Sequence, residues 1–168
     1  MYHHSMGFKS NGFMVAIAFS AIIIPSHSRA DFTTRVLSVD EGDKLTISHR
    51  GRDQVIHLRD IDCPELKQPY GKQARHVTAA FVAGREVVVR GLHRNRQGRT
   101  TAEVFLQDGR NVGYELVREG LAWVRPEMPG GQSLTDLERV SRAEGKGLWS
   151  EPHPVPPWQW KVKKKFRQ

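Results

Sequence analysis

The stretch from Thr33 to Asp60, TTRVLSVDEGDKLTISHRGRDQVIHLRD, decides the fold. Thr33–Val39 and Lys44–Ser48 alternate polar and apolar residues around the turn-forming Asp40-Glu41-Gly42-Asp43, the pattern of a hairpin. After the polar His49–Asp53, Gln54–Asp60 alternates again, with Ile56 and Leu58 on one face and His57 and Arg59 on the other. This predicts a third strand. Cys63-Pro64 ends it, because proline donates no ladder hydrogen bond and holds its predecessor extended.

Further along, the period changes. Ala74, Val77, Thr78 and Phe81 fall at i, i+3, i+4 and i+7, an amphipathic helix stopped by Gly84. Arg85–Arg90 and Thr100–Gln107 predict two more strands, separated by the polar, basic loop 91–98. Asn111 is a suitable N-cap for a second helix carrying Val112 and Leu116, and Ser133 with Asp136 predicts a capping box on a third, with Leu134, Leu137 and Val140. Five short strands with a helix after the third fit a small barrel of the OB type, a mainly β, α+β architecture with about three helices.

Outward from this core the chain changes character at both ends. Residues 1–30 hold no acid, and Phe13–Ile24 is apolar except for Ser20. Twelve helical residues cover only about 18 Å, short of a hydrocarbon core of about 30 Å. With Pro25 following and small residues at Ser28 and Ala30, this predicts a secretory signal cleaved after Ala30 and a mature protein outside the cytosol, in periplasm or medium. From Pro152 the chain reads PHPVPPWQWKVKKKFRQ, a proline stretch followed by two tryptophans and a basic run. Residues 158–168 combine interfacial aromatics with cations, which suits contact with an anionic surface; a solubilising disordered tail is the plainer expectation.

The 168 residues carry a formal charge of +8 and one cysteine. An internal disulfide and a zinc knuckle built on paired cysteines are excluded. All 18 acids lie within 31–151, where they nearly cancel 19 Lys and Arg, and the last 17 residues add five cations and no acid. The basicity therefore belongs mainly to the ends of the chain, and the central domain must recognise any anionic partner by local placement.

Two acidic loci could carry chemistry. Asp43 opens the second strand in phase with Leu45 and Ile47, which puts its carboxylate at the barrel rim. Asp60, Asp62 and Glu65 cluster at the end of the third strand. Oxygen ligands from two strand ends suit a hard cation, although acids at turns are more often only solvated turn formers. Phosphodiester cleavage needs a cation against phosphate, a carboxylate for water and guanidinium donors for the charge that develops. Arg99, at the start of the fifth strand, has the planar fork for that last task.

Six segments in order, VDEGDKL, RDIDCPE, YGKQA, QGRTTAEVF, NVGYELVREGLAWV and GKGLWS, resemble the successive signatures of the thermonuclease family, the staphylococcal-nuclease-like Ca²⁺-dependent phosphodiesterases. The resemblance runs from about Val36 to Ser150. It implies a five-stranded OB barrel with three helices that hydrolyses DNA and RNA by attack of water on phosphorus, leaving 3′-phosphates, with little sequence preference. It also implies that Asp43 and Asp62 bind Ca²⁺ with the main-chain carbonyl of Cys63, that Glu65 orients or activates the water, and that Arg99 binds the scissile phosphate. No partner protein is implied, and a monomer is expected.

Several positions depart from the family's pattern. His57 stands where a second catalytic arginine is expected, and loss of one such donor commonly costs about 10²–10³ in rate. Arg59, two residues on and on the same face, lies about 6.8 Å away along a strand, within reach of the vacant role. Lys44 places a cation beside the metal locus, and Gln97 and Arg96 replace a tyrosine and a lysine that approach the nucleotide's phosphate. Arg90, Arg94 and Arg96 read either as a solvated face or as steering groups flanking Arg99. Tyr70 and Tyr114 suit a nucleotide pocket or simple packing, while Trp123, Trp149 and Cys63 read as packing residues. The departures also motivate a rival reading, a catalytically weakened barrel that binds nucleic acid or another polyanion without cleaving it.

Overall fold

The computed structural model describes residue 1 and residues 31–96, 98–126 and 131–165, with side chains to Val162 in the last segment. The expected signal and its cleavage point lie outside these residues. Five strands close into a barrel: β1 (Phe32–Glu41), β2 (Lys44–His49), β3 (Arg52–Leu58), β5 (Glu86–Arg94) and β6 (Thr100–Phe105). Around the barrel the order is β1-β2-β3-β6-β5, with β5 returning to β1. The β3–β6 pair is parallel and the other pairs are antiparallel. The predicted architecture is the observed one.

Alternation explains the interior. Val36, Leu45, Ile47, Ile56, Val87, Val89, Ala102 and Val104 are wholly buried, one side of each strand in turn. Each such side chain contributes roughly 1.5–3 kcal/mol by leaving water. Helix α1 (Gly71–Val82) lays Ala74, Thr78 and Val82 on the barrel, and α2 (Val112–Arg118) buries Val112, Leu116 and Val117. Asn111 caps α2 as expected, its side chain accepting from the amides of Gly113 and Tyr114. Helix α3 (Gln132–Ala143) packs against α2.

Four local expectations are corrected. The third strand stops at Leu58, and the chain turns through Arg59 and Asp60, whose φ of 65° is left-handed. Ile61–Asp62 then forms a separate strand, β4, paired with β7 (Trp123–Val124), so Asp62 belongs to this small second sheet. The fourth barrel strand runs on through a bulge to Arg94, because its register shifts between Arg90 and His93. The Ser133–Asp136 capping box does not form, since α3 starts two residues early, at Gln132 after Gly131, and no side chain caps it.

The fourth correction concerns the C-terminal segment. Residues 157–165 form a helix, α4, in place of a disordered tail. Pro157 at its first turn suits a helix start, where the missing amide proton has no partner to lose. A 3₁₀ turn, Gly147–Ser150, precedes it, and Trp123 gathers the region: its ring meets Trp149 at 4.4 Å and Trp158 at 5.9 Å, both edge-on.

Candidate active site

The rim at the β1–β2 turn is set by backbone contacts. Gly42 packs so closely that a Cβ there would stand 2.8 Å from atoms of Ala74 and Cys63. The Thr78 hydroxyl of α1 reaches the Gly42 carbonyl at 2.7 Å, and the Leu58 amide donates to the Asp43 carbonyl at 2.8 Å. Asp43 is thereby pinned between the helix and the end of β3, and it is almost fully buried.

Arg99 is brought to the same rim by its own loop. Its amide donates to the Asn95 side chain at 2.9 Å, and its carbonyl accepts from the Asn95 amide at 2.9 Å. Arg99 Nη2 stands 3.5 Å from Asp43 Oδ2, and His57 Nδ1 stands 3.8 Å from the same oxygen. The buried Arg99 Nε and His57 Nδ1 find no hydrogen-bond partner among the described residues. An unused buried guanidinium donor beside a carboxylate is costly to maintain, and it is suited to a phosphate oxygen.

Asp62 completes the acidic pair. Burial, then the charge of Asp43, pushes its carboxyl up to about 6, against the opposing fields of Lys161, Arg125 and Arg99. Two buried carboxylates that repel each other are the donor chemistry of a hard cation, with carbonyl and water oxygens filling the remaining positions. No cluster of three or more His, Cys, Asp or Glu side chains placed to hold a metal occurs among the described residues. Cys63 follows Asp62 with its side chain buried beside Gly42. Burial, with the fields of Asp43, Asp62 and Glu41, holds its thiol well above the usual range, so its chemistry is packing.

Glu65 lies on the loop between β4 and α1, a quarter exposed. Gln68 fixes this loop: its Oε1 accepts from the Glu65 amide at 3.1 Å, while its Nε2 donates to the Val155 carbonyl. Gly71 is required here, because a Cβ would lie 1.9 Å from the Glu65 carbonyl oxygen. The Glu65 carboxylate meets Lys161 of α4, with Nζ 2.8 Å from Oε1.

Other expected site residues stand apart from this group. Arg59 does not reach back toward the vacant arginine role. Its guanidinium donates to the Gly91 carbonyl and lies 3.7 Å from Glu103 Oε2, and the left-handed Gly91 leaves the space it fills. Arg90 is likewise engaged, by Asp31 at 3.1 Å and over the Phe105 ring at 4.4 Å. Arg94 faces an open groove with Phe32, His49 and Leu92, and Arg96 is exposed on the β5–β6 turn. Gln97 lies outside the described residues. Lys44 pairs with His57 in the register of β2 and β3 and follows Asp43 in the chain. The Tyr70 hydroxyl meets Ser150 Oγ at 2.6 Å, and its ring lines a hollow with Pro64, Trp123 and Trp160; Tyr114 packs on the core.

Gln68, Asn95, Thr78 and Lys161 bond directly to the candidate site and its turns, and the sequence pattern does not single them out. The first three act through hydrogen bonds across loops, which no periodicity reports. For Lys161 a signal exists: Pro157 followed by eight residues without a breaker is a helix start.

Known proteins are similar to this chain in sequence. A family profile described as staphylococcal nuclease homologue matches residues 55–151. An uncharacterized endonuclease of Escherichia coli O157:H7 is 38% identical over 135 residues, covering 80% of this chain and 88% of that protein. Protein ParB of Escherichia coli is 31% identical over 159 residues, covering 87% and 88%, and a micrococcal nuclease of Shigella flexneri is 31% identical over 157 residues, covering 87% and 90%. With the barrel, the rim and these similarities in agreement, the chain belongs to the staphylococcal nuclease family.

Proposed function

We propose that this protein is an exported, monomeric, Ca²⁺-dependent nuclease that hydrolyses phosphodiester bonds of DNA and RNA with little sequence preference. The observation that carries this reading is the convergence of Asp43, Asp62 and Arg99 on one rim, with a buried guanidinium donor left unpaired among the described residues. Export rests on the composition of residues 1–30.

Ca²⁺ held by Asp43, Asp62 and the Cys63 carbonyl would supply positive charge against a phosphate oxygen. Arg99 donates from Nη2 and Nε to non-bridging oxygens, leaving its ion pair with Asp43 as the phosphate enters. Glu65 accepts a proton from the water whose oxygen forms the new bond to phosphorus. The P–O5′ bond breaks, its electron pair leaves on the 5′ oxygen, and the phosphate stays on the 3′ side. Donors from one rim read only the phosphate, which is why base sequence matters little.

One observation favours the rival reading, a weakened module that binds without cleaving: Arg59 is committed to Gly91 and Glu103, so it does not replace the arginine absent at His57. Digestion separates the two. Purified protein should fragment DNA and RNA in Ca²⁺ and not in chelator, and Arg99→Ala should do so at least about 100-fold more slowly. Tight, salt-sensitive binding without cleavage at any Ca²⁺ concentration would establish the binding module instead.

A further inference from the structure

Three cations act on Asp62: Lys161, Arg125 and Arg99. Only Lys161 comes from outside the barrel and its β4–β7 extension, and it reaches the water-activating carboxylate directly, with Nζ 2.8 Å from Glu65 Oε1. Its position is built. Trp158 packs edge-on against Trp123, the Gln68 side chain ties the Val155 carbonyl to the Glu65 amide, and Trp160 lines one hollow with Pro64 and Tyr70. The same residues that hold the Glu65 loop therefore hold α4.

Building on the nuclease reading above, we propose that Lys161 is a substrate-phosphate-binding residue, delivered by α4 to supply the second cation that position 57 lacks. Lys161 is half exposed, so its ammonium is free to change partners. In the substrate-free protein it neutralises Glu65. When a phosphodiester occupies the rim, Nζ transfers its hydrogen bond to a non-bridging oxygen, and Glu65 is released with both oxygens available for water. Burial works against the ammonium, but the bond to Glu65 and the fields of Asp62 and Asp43 outweigh it and hold the lysine above its ordinary range. The group thus stays charged throughout the neutral range, as a phosphate ligand must.

Two features make this a specific role and not a general effect of a basic tail. The arginine two residues along from His57 is engaged elsewhere, which leaves the vacancy unfilled from the barrel. Lys163, two residues beyond Lys161, occupies a position about 200° around the helix from it.

The test compares wild type, Lys161→Gln, Lys161→Arg, Lys163→Gln, His57→Arg and the His57→Arg/Lys161→Gln double variant. Cleavage of single-stranded DNA in Ca²⁺ gives kcat/KM, and binding of a phosphorothioate oligonucleotide across a salt series gives the number of phosphate contacts. Lys161→Gln should lower kcat/KM on the order of 10–100-fold, somewhat less than loss of a bidentate donor. Lys161→Arg should keep most of the activity, His57→Arg should restore much of the Lys161→Gln loss, and Lys163→Gln should change little. The salt slope of binding should fall by about 0.7 in Lys161→Gln, the value for one lost contact to a single strand.

Unchanged kcat/KM and slope in Lys161→Gln, a loss equal to that in Lys163→Gln, or a gain in activity would each overturn the inference; a gain would make the contact an inhibitory latch. Wild type that binds without cleaving would overturn the nuclease reading alone, and the salt slopes would then decide the role of Lys161. Because Lys161 is half exposed, tryptophan fluorescence of all variants should match wild type, which separates a binding defect from detachment of α4.

Discussion

The barrel rim and the C-terminal segment meet at one site but are held there by different means. Asp43 and Arg99 are fixed through the backbone: the Leu58 amide on the Asp43 carbonyl, Thr78 on Gly42, Asn95 on both sides of Arg99. Residues 152–165 attach mainly through pairs of side chains, Trp158 on Trp123 and Lys161 on Glu65, with one bond to their backbone, from Gln68 to the Val155 carbonyl. The contrast teaches that the rim should fail only when its backbone or its reacting groups are altered, whereas α4 should detach on loss of one aromatic contact while the barrel stays folded.

The largest break falls on the rim's chemistry. Arg99→Ala should lower kcat by about 10²–10³, the usual cost of one donor aimed at a developing oxyanion, measured by digestion in Ca²⁺. Next comes the cost of burying the Asp62 carboxylate, to which the charge of Asp43 adds. Asp62 titrates near 6 in the folded protein against an ordinary value of 3.8. The folded state therefore holds that proton more tightly than the unfolded chain does. This stabilisation is complete below about pH 4 and is lost as pH rises through about 6. Asp62→Asn should accordingly raise the stability of the Ca²⁺-free protein at pH 7.5 by up to about 3 kcal/mol, since each tenfold change in proton affinity is worth about 1.4 kcal/mol, and by little at pH 4. Denaturant titrations at the two pH values check the sign.

A smaller effect is expected from Gly71→Ala. Its Cβ would overlap the Glu65 carbonyl oxygen at 1.9 Å, so backbone must move, costing about 1–3 kcal/mol and displacing Glu65. The melting temperature and kcat should fall together. The smallest is Trp158→Ala, which should cost about 1 kcal/mol through the lost ring pair. Amide exchange should speed across 157–162 and remain slow in β2, β3 and β6. Equal loss of protection in the barrel would remove the contrast between the two regions.

How much is legible in the sequence follows the same division. Alternation in Thr33–Val39, Lys44–Ser48 and Gln54–Leu58 reports a face buried by each strand, and those residues line the barrel. Asp43 and Arg99 can be placed because they sit in phase with, or just before, such strands. Asp62 reads as the end of the third strand but lies in the other sheet, since a two-residue strand leaves no periodicity and depends on a left-handed Asp60 and on Trp123, distant in sequence. Arg59 reads by its reach along β3, but Gly91 opens space for it on the neighbouring strand, a contact that alternation does not encode. Lys161 is hidden for another reason: a run of cations reads as a solvated tail unless the prolines before it are read as a helix start and the tryptophans as anchors.

The central claim is that the Asp43–Asp62–Arg99 rim, with Glu65, cleaves phosphodiesters. Its most direct test is the rate of fragment release from DNA by the wild-type protein in Ca²⁺, set beside the same reaction in chelator and with Arg99→Ala. Release that requires Ca²⁺ and falls at least about 100-fold in the variant is the predicted result. Release that proceeds equally in chelator, or in Arg99→Ala, would contradict it.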